Sequence, residues 1–70
     1  MKWVRVGKAY FNTDLIESFY WTLGKLWVHW LGEGAAERYE DPDRENYLRL
    51  CRRLGVRPVE EDEVNGESRI

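Results

Sequence analysis

The stretch Leu15–Leu31, LIESFYWTLGKLWVHWL, decides the fold of this chain. It holds three of the four Trp, one of the two Phe and the only His, and its two arms read as strands about a two-residue turn. With Leu23-Gly24 as the turn, Thr22 stands opposite Lys25, Trp21 opposite Leu26, Tyr20 opposite Trp27, Phe19 opposite Val28 and Ser18 opposite His29. Successive strand side chains point to opposite faces, so Phe19, Trp21, Leu26, Val28 and Trp30 share one side. Ser18, Tyr20, Trp27 and His29 take the other, with Ile16 and Leu31 at its far end. The first set is almost wholly apolar and is the expected core face. The second is amphipathic, because Tyr and Trp join an apolar body to a polar handle. A slip of one residue would exchange the faces of one arm, so the assignment rests on the turn.

Working outward, Lys2 to Val6 alternates like a strand, and Ala9-Tyr10-Phe11 is a second apolar run beyond Gly7-Lys8. Gly at the first central position suits a type II′ turn and hence a tight hairpin. Asn12-Thr13-Asp14 supplies side chains that bond to nearby backbone, so the chain bends there. On the other side of the central hairpin, Gly32-Glu33-Gly34 marks a turn. Ala35 to Glu40 reads either as a short returning strand or as the start of a helical turn, since Ala and Glu are poor strand formers. From Asp41 the helix signals are strong. Asp is a preferred N-cap, Pro42 fits the first helical position, and Asp43 and Glu45 complement the positive end of the dipole. Tyr47, Leu50, Cys51 and Leu54 form one stripe, flanked by Leu48, while Arg49, Arg52 and Arg53 lie towards the C-terminal end. Gly55, Val56 and Pro58 provide the stop.

These elements predict an α+β class: a three- or four-stranded antiparallel meander with one C-terminal helix packed on one face. A single helix covers one face only, and that face must be the apolar one. Phe19, Trp21, Leu26 and Val28 are therefore expected to meet Tyr47, Leu50, Cys51 and Leu54. Seventy residues allow one small core, and ten aromatic side chains are a way to bury area within it. Residues 1–57 carry ten Lys and Arg against eight Asp and Glu, whereas residues 58–70 carry one Arg against five acids. The expectation is a single domain over 1–57 and an acidic, disordered tail over 58–70.

Chemistry-bearing clusters are sparse. The single Cys allows no internal disulfide, and the sequence has neither an apolar run near 18 residues nor a signal-peptide core, so a cytoplasmic setting without a membrane is expected. Cys51 falls on the buried stripe and His29 on the opposite sheet face, which separates a would-be Cys–His pair. Clustered Cys and His for zinc are lacking, as is a phosphate-cradling Gly loop around Gly32 and Gly34. The carboxylates of Glu37, Glu40, Asp41 and Asp43 sit where a turn and an N-cap call for acids. No enzyme, cofactor, metal or small-molecule substrate is expected. His29 reads either as a pH-responsive member of a binding face or as a half-exposed strand residue opposite Ser18.

Two surface features remain. An uncovered Tyr20, Trp27, His29 face would be an exposed apolar patch of the kind that marks a partner site. Cations lie near it in sequence or expected space: Lys25 at the hairpin tip, Arg5 in the first strand and Arg49 on the helix. The leading expectation is a small non-enzymatic interaction or regulatory module, docking a protein partner or pairing with itself as a homodimer through this face or through a free strand edge. The alternative is a nucleic-acid-binding accessory domain that stacks bases on the same aromatics with Lys25, Arg5 and Arg49 alongside. Dispersed cations and a net charge of -2 weigh against it.

The run from Val4 to Gly32 also resembles the small bacterial flagellar-locus proteins of the FlbD type. It shares a short strand, a Gly-containing turn, an aromatic or aliphatic pair and then Asn-x-Asp-x-Ile before a second hairpin; the matching residues are Gly7, Tyr10, Phe11, Asn12, Asp14, Ile16 and Gly32. The aromatic richness, the helix DPDRENYLRLCRRLG and the acidic tail lie outside that pattern. The resemblance implies a sheet-and-helix protein with a regulatory or accessory role, and it carries over no catalytic residues.

Overall fold

The structure, a computed structural model, describes residues 2–59. Five strands and one helix follow in the order β1 (Trp3–Val6), β2 (Ala9–Asn12), a 3-10 turn (Thr13–Leu15), β3 (Ile16–Thr22), β4 (Lys25–Trp30), β5 (Glu37–Glu40) and α1 (Glu45–Leu54). The class is α+β, with the C-terminal helix packed on one face of an antiparallel sheet. β3, β4 and β5 form the three-stranded antiparallel meander, and β1 and β2 pair apart from it as a two-stranded sheet. The break lies at the 3-10 turn. The Thr13 N–H and hydroxyl both donate to the carbonyl of Lys2, at 2.6 and 2.9 Å, and Asn12 Oδ1 accepts from the N–H of Asp14 at 3.0 Å. Thr13 thus closes the chain back onto β1, and β3 leaves in a direction that does not pair with β2.

The central hairpin has the expected register from Thr22↔Lys25 to Ser18↔His29. Its turn residues Leu23 and Gly24 both have positive φ, 53° and 78°, as a type I′ turn requires. In the first hairpin Val6 pairs with Ala9, and Gly7 has φ 60° while Lys8 does not join it in the positive region, the type II′ pattern. A bulge between Ile16 and Ser18 changes one assignment. Ile16 pairs with Trp30, so it turns to the core face and not to the outer one. Residues 37–40 are a strand: β5 pairs with β4 from Lys25↔Glu40 to Val28↔Glu37. Weak local preference is overridden there by ladder bonds, by the Tyr39 ring against Phe11 at 4.9 Å, and by an ion pair of 2.9 Å between Lys25 and Glu40.

Both sheets and the helix contribute to one core. Val4, Val6 and Phe11 come from the first sheet, Leu26 and Val28 from the second, and Tyr47, Leu50 and Cys51 from α1. Ile16, Phe19, Trp21, Trp30, Tyr39 and Leu48 pack around this cluster half-buried. Phe11 joins the sheets, with its ring 4.9 Å from Trp30 at a 72° edge-to-face angle and equally close to Tyr39. Phe19 meets Tyr47 at 5.7 Å. Leu54, expected in the buried stripe, is exposed at the helix end, where neither sheet reaches it.

The helix begins three residues later than its sequence signals imply. Asp41 to Arg44 form a turn closed by an Arg44 N–H bond to the Asp41 carbonyl at 3.1 Å, and Arg44 occupies the N-cap with a left-handed φ of 61°. Asp41 nevertheless does the capping. Its carboxylate accepts from the backbone N–H groups of Asn46 at 3.0 Å and Tyr47 at 2.9 Å, two donors of the first helical turn that have no intrahelical partner. The other end follows the sequence: Gly55 at φ 70° lets its N–H reach the Arg52 carbonyl and that of Val56 reach Cys51, the Schellman arrangement. Of the expected 58–70 tail, residues 60–70 lie outside the described residues. The Val59 N–H donates to the Tyr47 hydroxyl at 2.8 Å, and its carbonyl accepts from Arg44 at 2.6 Å.

Asp41 is 3% exposed, so removing its carboxylate leaves two helical N–H groups without an acceptor. Asp41→Ala is expected to lower the unfolding free energy by about 3 kcal/mol, and Asp41→Asn, which keeps one acceptor oxygen, by about half as much. Urea denaturation followed by circular dichroism measures both; a loss below about 0.5 kcal/mol for the Ala variant would refute the cap.

Candidate functional site

Alternation along the second sheet sends Ser18, Tyr20 and Thr22 of β3, Lys25, Trp27 and His29 of β4, and Arg38 and Glu40 of β5 to the face opposite the core. The helix and the first sheet both pack on the other side, where Leu26 and Val28 are fully buried. The outer face is therefore uncovered among the described residues. Tyr20 and Trp27 are direct cross-strand partners, and their rings stack with centroids 6.0 Å apart and planes 7° from parallel. The His29 ring leans against Tyr20 at 6.4 Å and 35°. Tyr20 is the open member at 44% exposure, while Trp27, in the middle strand, is half-buried. The Trp27 indole N–H is shielded and has no acceptor among the described residues.

The six residues singled out from the sequence separate into two groups. Tyr20, Trp27, His29 and Lys25 share this face, with Lys25 at its turn end and engaged by Glu40. That ion pair holds the Glu40 carboxyl below its ordinary value, the hydrogen bond from Lys25 being the main cause. Arg5 and Arg49 lie elsewhere. Arg49 is on the core-side helix and donates to the Arg5 carbonyl at 3.2 Å and to Asn46 Oδ1 at 2.8 Å, so it fastens α1 to the edge of β1. The Arg5 side chain sits on the outer face of the first sheet, opposite Tyr10, which is 69% exposed, with the exposed Trp3 on the same face.

Two residues that matter here carried weak signals. Arg38 stands directly opposite Trp27 on the outer face and supplies the neighbouring cation, but it lies in the segment whose sequence allows strand or helix. Arg44 places its guanidinium 5.3 Å from the ring centres of both Trp21 and Tyr47 while holding Val59. Nothing in its sequence context marks it apart from other turn residues.

The outer face presents stacked rings, a hydroxyl, an imidazole and a cation on one side of the sheet. His29 and Cys51 are on opposite sides of that sheet. Among the described residues no group of three or more His, Cys, Asp or Glu stands where it could hold a metal ion, and no helix is long and apolar enough to cross a membrane.

Burial raises the Cys51 thiol and the Tyr47 phenol above their ordinary values, and burial together with the bond to Glu37 raises Tyr39. Each group holds its proton more tightly folded than unfolded, so its contribution to stability is complete below the unfolded value and is lost as pH rises through the folded one. Urea midpoints are expected to fall progressively above about pH 8.5 to 10, and Cys51 to react with a thiol reagent only as fast as the chain opens. Flat alkaline stability with immediate labelling would contradict the burial of these groups.

No protein-family model, no curated protein and no solved structure matches this chain.

Proposed function

We propose that the chain is a small non-enzymatic interaction or regulatory module that docks a protein, either a partner or a second copy of itself, through the outer face of β3-β4-β5. The observation that carries this reading is the uncovered Tyr20–Trp27 stack with His29 beside it. Large, rigid, amphipathic rings are the side chains that contribute most per residue when an interface forms, because they bury much area and lose little conformational freedom. Arg38 and the Lys25–Glu40 pair border the rings with groups that suit a polar rim. A single buried thiol fits a reducing, cytoplasmic setting.

The alternative, an accessory domain for single-stranded nucleic acid, needs cations ranged along the aromatic strip. Arg38 is so placed, yet Lys25 is occupied by Glu40, and Arg5 and Arg49 belong to other surfaces. Stacking of Tyr20 on Trp27 also uses ring faces that a base would need.

Sedimentation at several concentrations tests the docking reading. Association is expected, and Trp27→Ala is expected to weaken it by about 2 kcal/mol while leaving the fold intact by circular dichroism. A strictly monomeric protein whose Trp27→Ala variant binds everything the parent binds would remove the reading. In parallel, titration of labelled single-stranded and duplex oligonucleotides is expected to show no binding that strengthens as salt is lowered; affinity with a steep salt slope would favour the alternative.

A further inference from the structure

A sheet edge carries unpaired backbone donors and acceptors; of the four edge strands among the described residues, β2 is only four residues long and two others are blunted. The β1 edge is fastened by Arg49 to the Arg5 carbonyl and by Asn46 to the Gly7 N–H. β5 is four residues long and three of them, Glu37, Arg38 and Glu40, are charged. β3 differs. It spans seven residues, IESFYWT, with one charge at the bulge, and among the described residues its ladder partner is β4 alone. Among the described residues no backbone hydrogen bond reaches its far side.

The hairpin geometry says which groups that side presents. Residues flanking a two-residue turn exchange both backbone bonds, and the pattern alternates from there. Thr22, Tyr20 and Ser18 therefore direct N–H and C=O towards β4, while Phe19 and Trp21 direct theirs outward. Two outward residues separated by one inward residue are self-complementary about a two-fold axis through that residue. With the axis at Tyr20, antiparallel pairing sets Phe19 against Trp21 of the second copy and Trp21 against Phe19, each as a hydrogen-bonded pair. All four outward backbone groups then find partners. An axis at Phe19 would instead set Trp21 against the bulged Glu17, and an axis at Trp21 would set Phe19 against the turn residue Leu23.

We propose that β3 pairs with β3 of a second copy in this Tyr20-centred register, giving one continuous six-stranded sheet. The proposal rests on the docking reading and names its occupant. The side chains agree with it. Ser18 meets Thr22 of the second copy, two small polar residues with no charge to desolvate, and the two Tyr20 rings adjoin at the axis, which extends the Tyr20–Trp27 strip across both copies. Leu23 is 90% exposed at the hairpin tip, and Leu15 and Leu31 are exposed at the opposite end of β3, joined there by the Leu31 N–H bond to the Leu15 carbonyl. In this register Leu23 of one copy stands opposite the bulge at Glu17 of the other, short of its Leu15. The dimer closes on itself, because its two outer edges are the short charged β5 strands.

The test uses the full chain in four forms, the parent, Trp27→Ala and two charge variants, with circular dichroism to verify folding, in sedimentation equilibrium across a wide concentration range. The parent is expected to pass from monomer to dimer. Ser18→Lys with Thr22→Lys places like charges opposite each other twice and is expected to raise the dissociation constant about tenfold; Ser18→Glu with Thr22→Lys places opposite charges there and is expected to lower it. Amide exchange of Phe19 and Trp21 should slow as concentration rises. A strictly monomeric parent overturns the proposal, as does protection of those amides that is independent of concentration, which would mean that residues of the same chain cover the edge. Association that Trp27→Ala weakens but both charge variants leave equal also overturns it, while leaving the docking face standing.

Discussion

The Asp41 carboxylate and the peptide that carries it are what the arrangement of helix and sheet depends on. The side chain caps α1 through Asn46 and Tyr47; the Asp41 N–H donates to the Gly24 carbonyl at 3.0 Å; and its carbonyl accepts from the Trp21 indole at 2.7 Å and from Arg44. One residue thus binds the central turn, the core-side indole of β3 and the first turn of the helix. A buried carboxylate is tolerated because its oxygens receive charge-assisted bonds from the positive end of a helix. Arg44 adds a cation against Trp21 and Tyr47, so the corner where strand, turn and helix meet is held by polar contacts as well as by packing.

That corner explains how much of the fold was legible. The register of the central hairpin followed from alternation and from a Gly at the second turn position, both local signals. The helix stripe, its Gly55 stop and the capping role of Asp41 were equally local. What sequence did not give was geometry set across distance. Asp41 caps from three residues upstream because Pro42 and Asp43 form a turn in between, and the partners that make this favourable, Gly24 and Trp21, are remote in the chain. The division into two sheets depends on Thr13 bonding to Lys2, and β5 depends on β4 and Phe11 to override a weak strand preference.

For the candidate site the same division holds. Pairing alone places Tyr20, Trp27 and His29 together. Lys25, Arg5 and Arg49 join them by charge, which carries no spatial information; the structure puts Lys25 on the same face but sets the Arg49 guanidinium on backbone and Asn46. Arg38 was missed because its position became definable only with β5. That no described residue pairs with the outer edge of β3 is a property of what fails to pair, and a sequence shows pairing partners more readily than their absence.

The bulge at Glu17 has a consequence for how so short a chain closes its core. An extra residue on one strand increases local twist and bends the sheet. Here the bend turns Ile16 inward opposite Trp30, and Trp30 in turn lies edge-on to Phe11 of the other sheet. The bent end of β3-β4 therefore acts as a lid over one end of the apolar cluster, while α1 covers its middle. Curvature takes the place of a second helix, and one inserted residue supplies it.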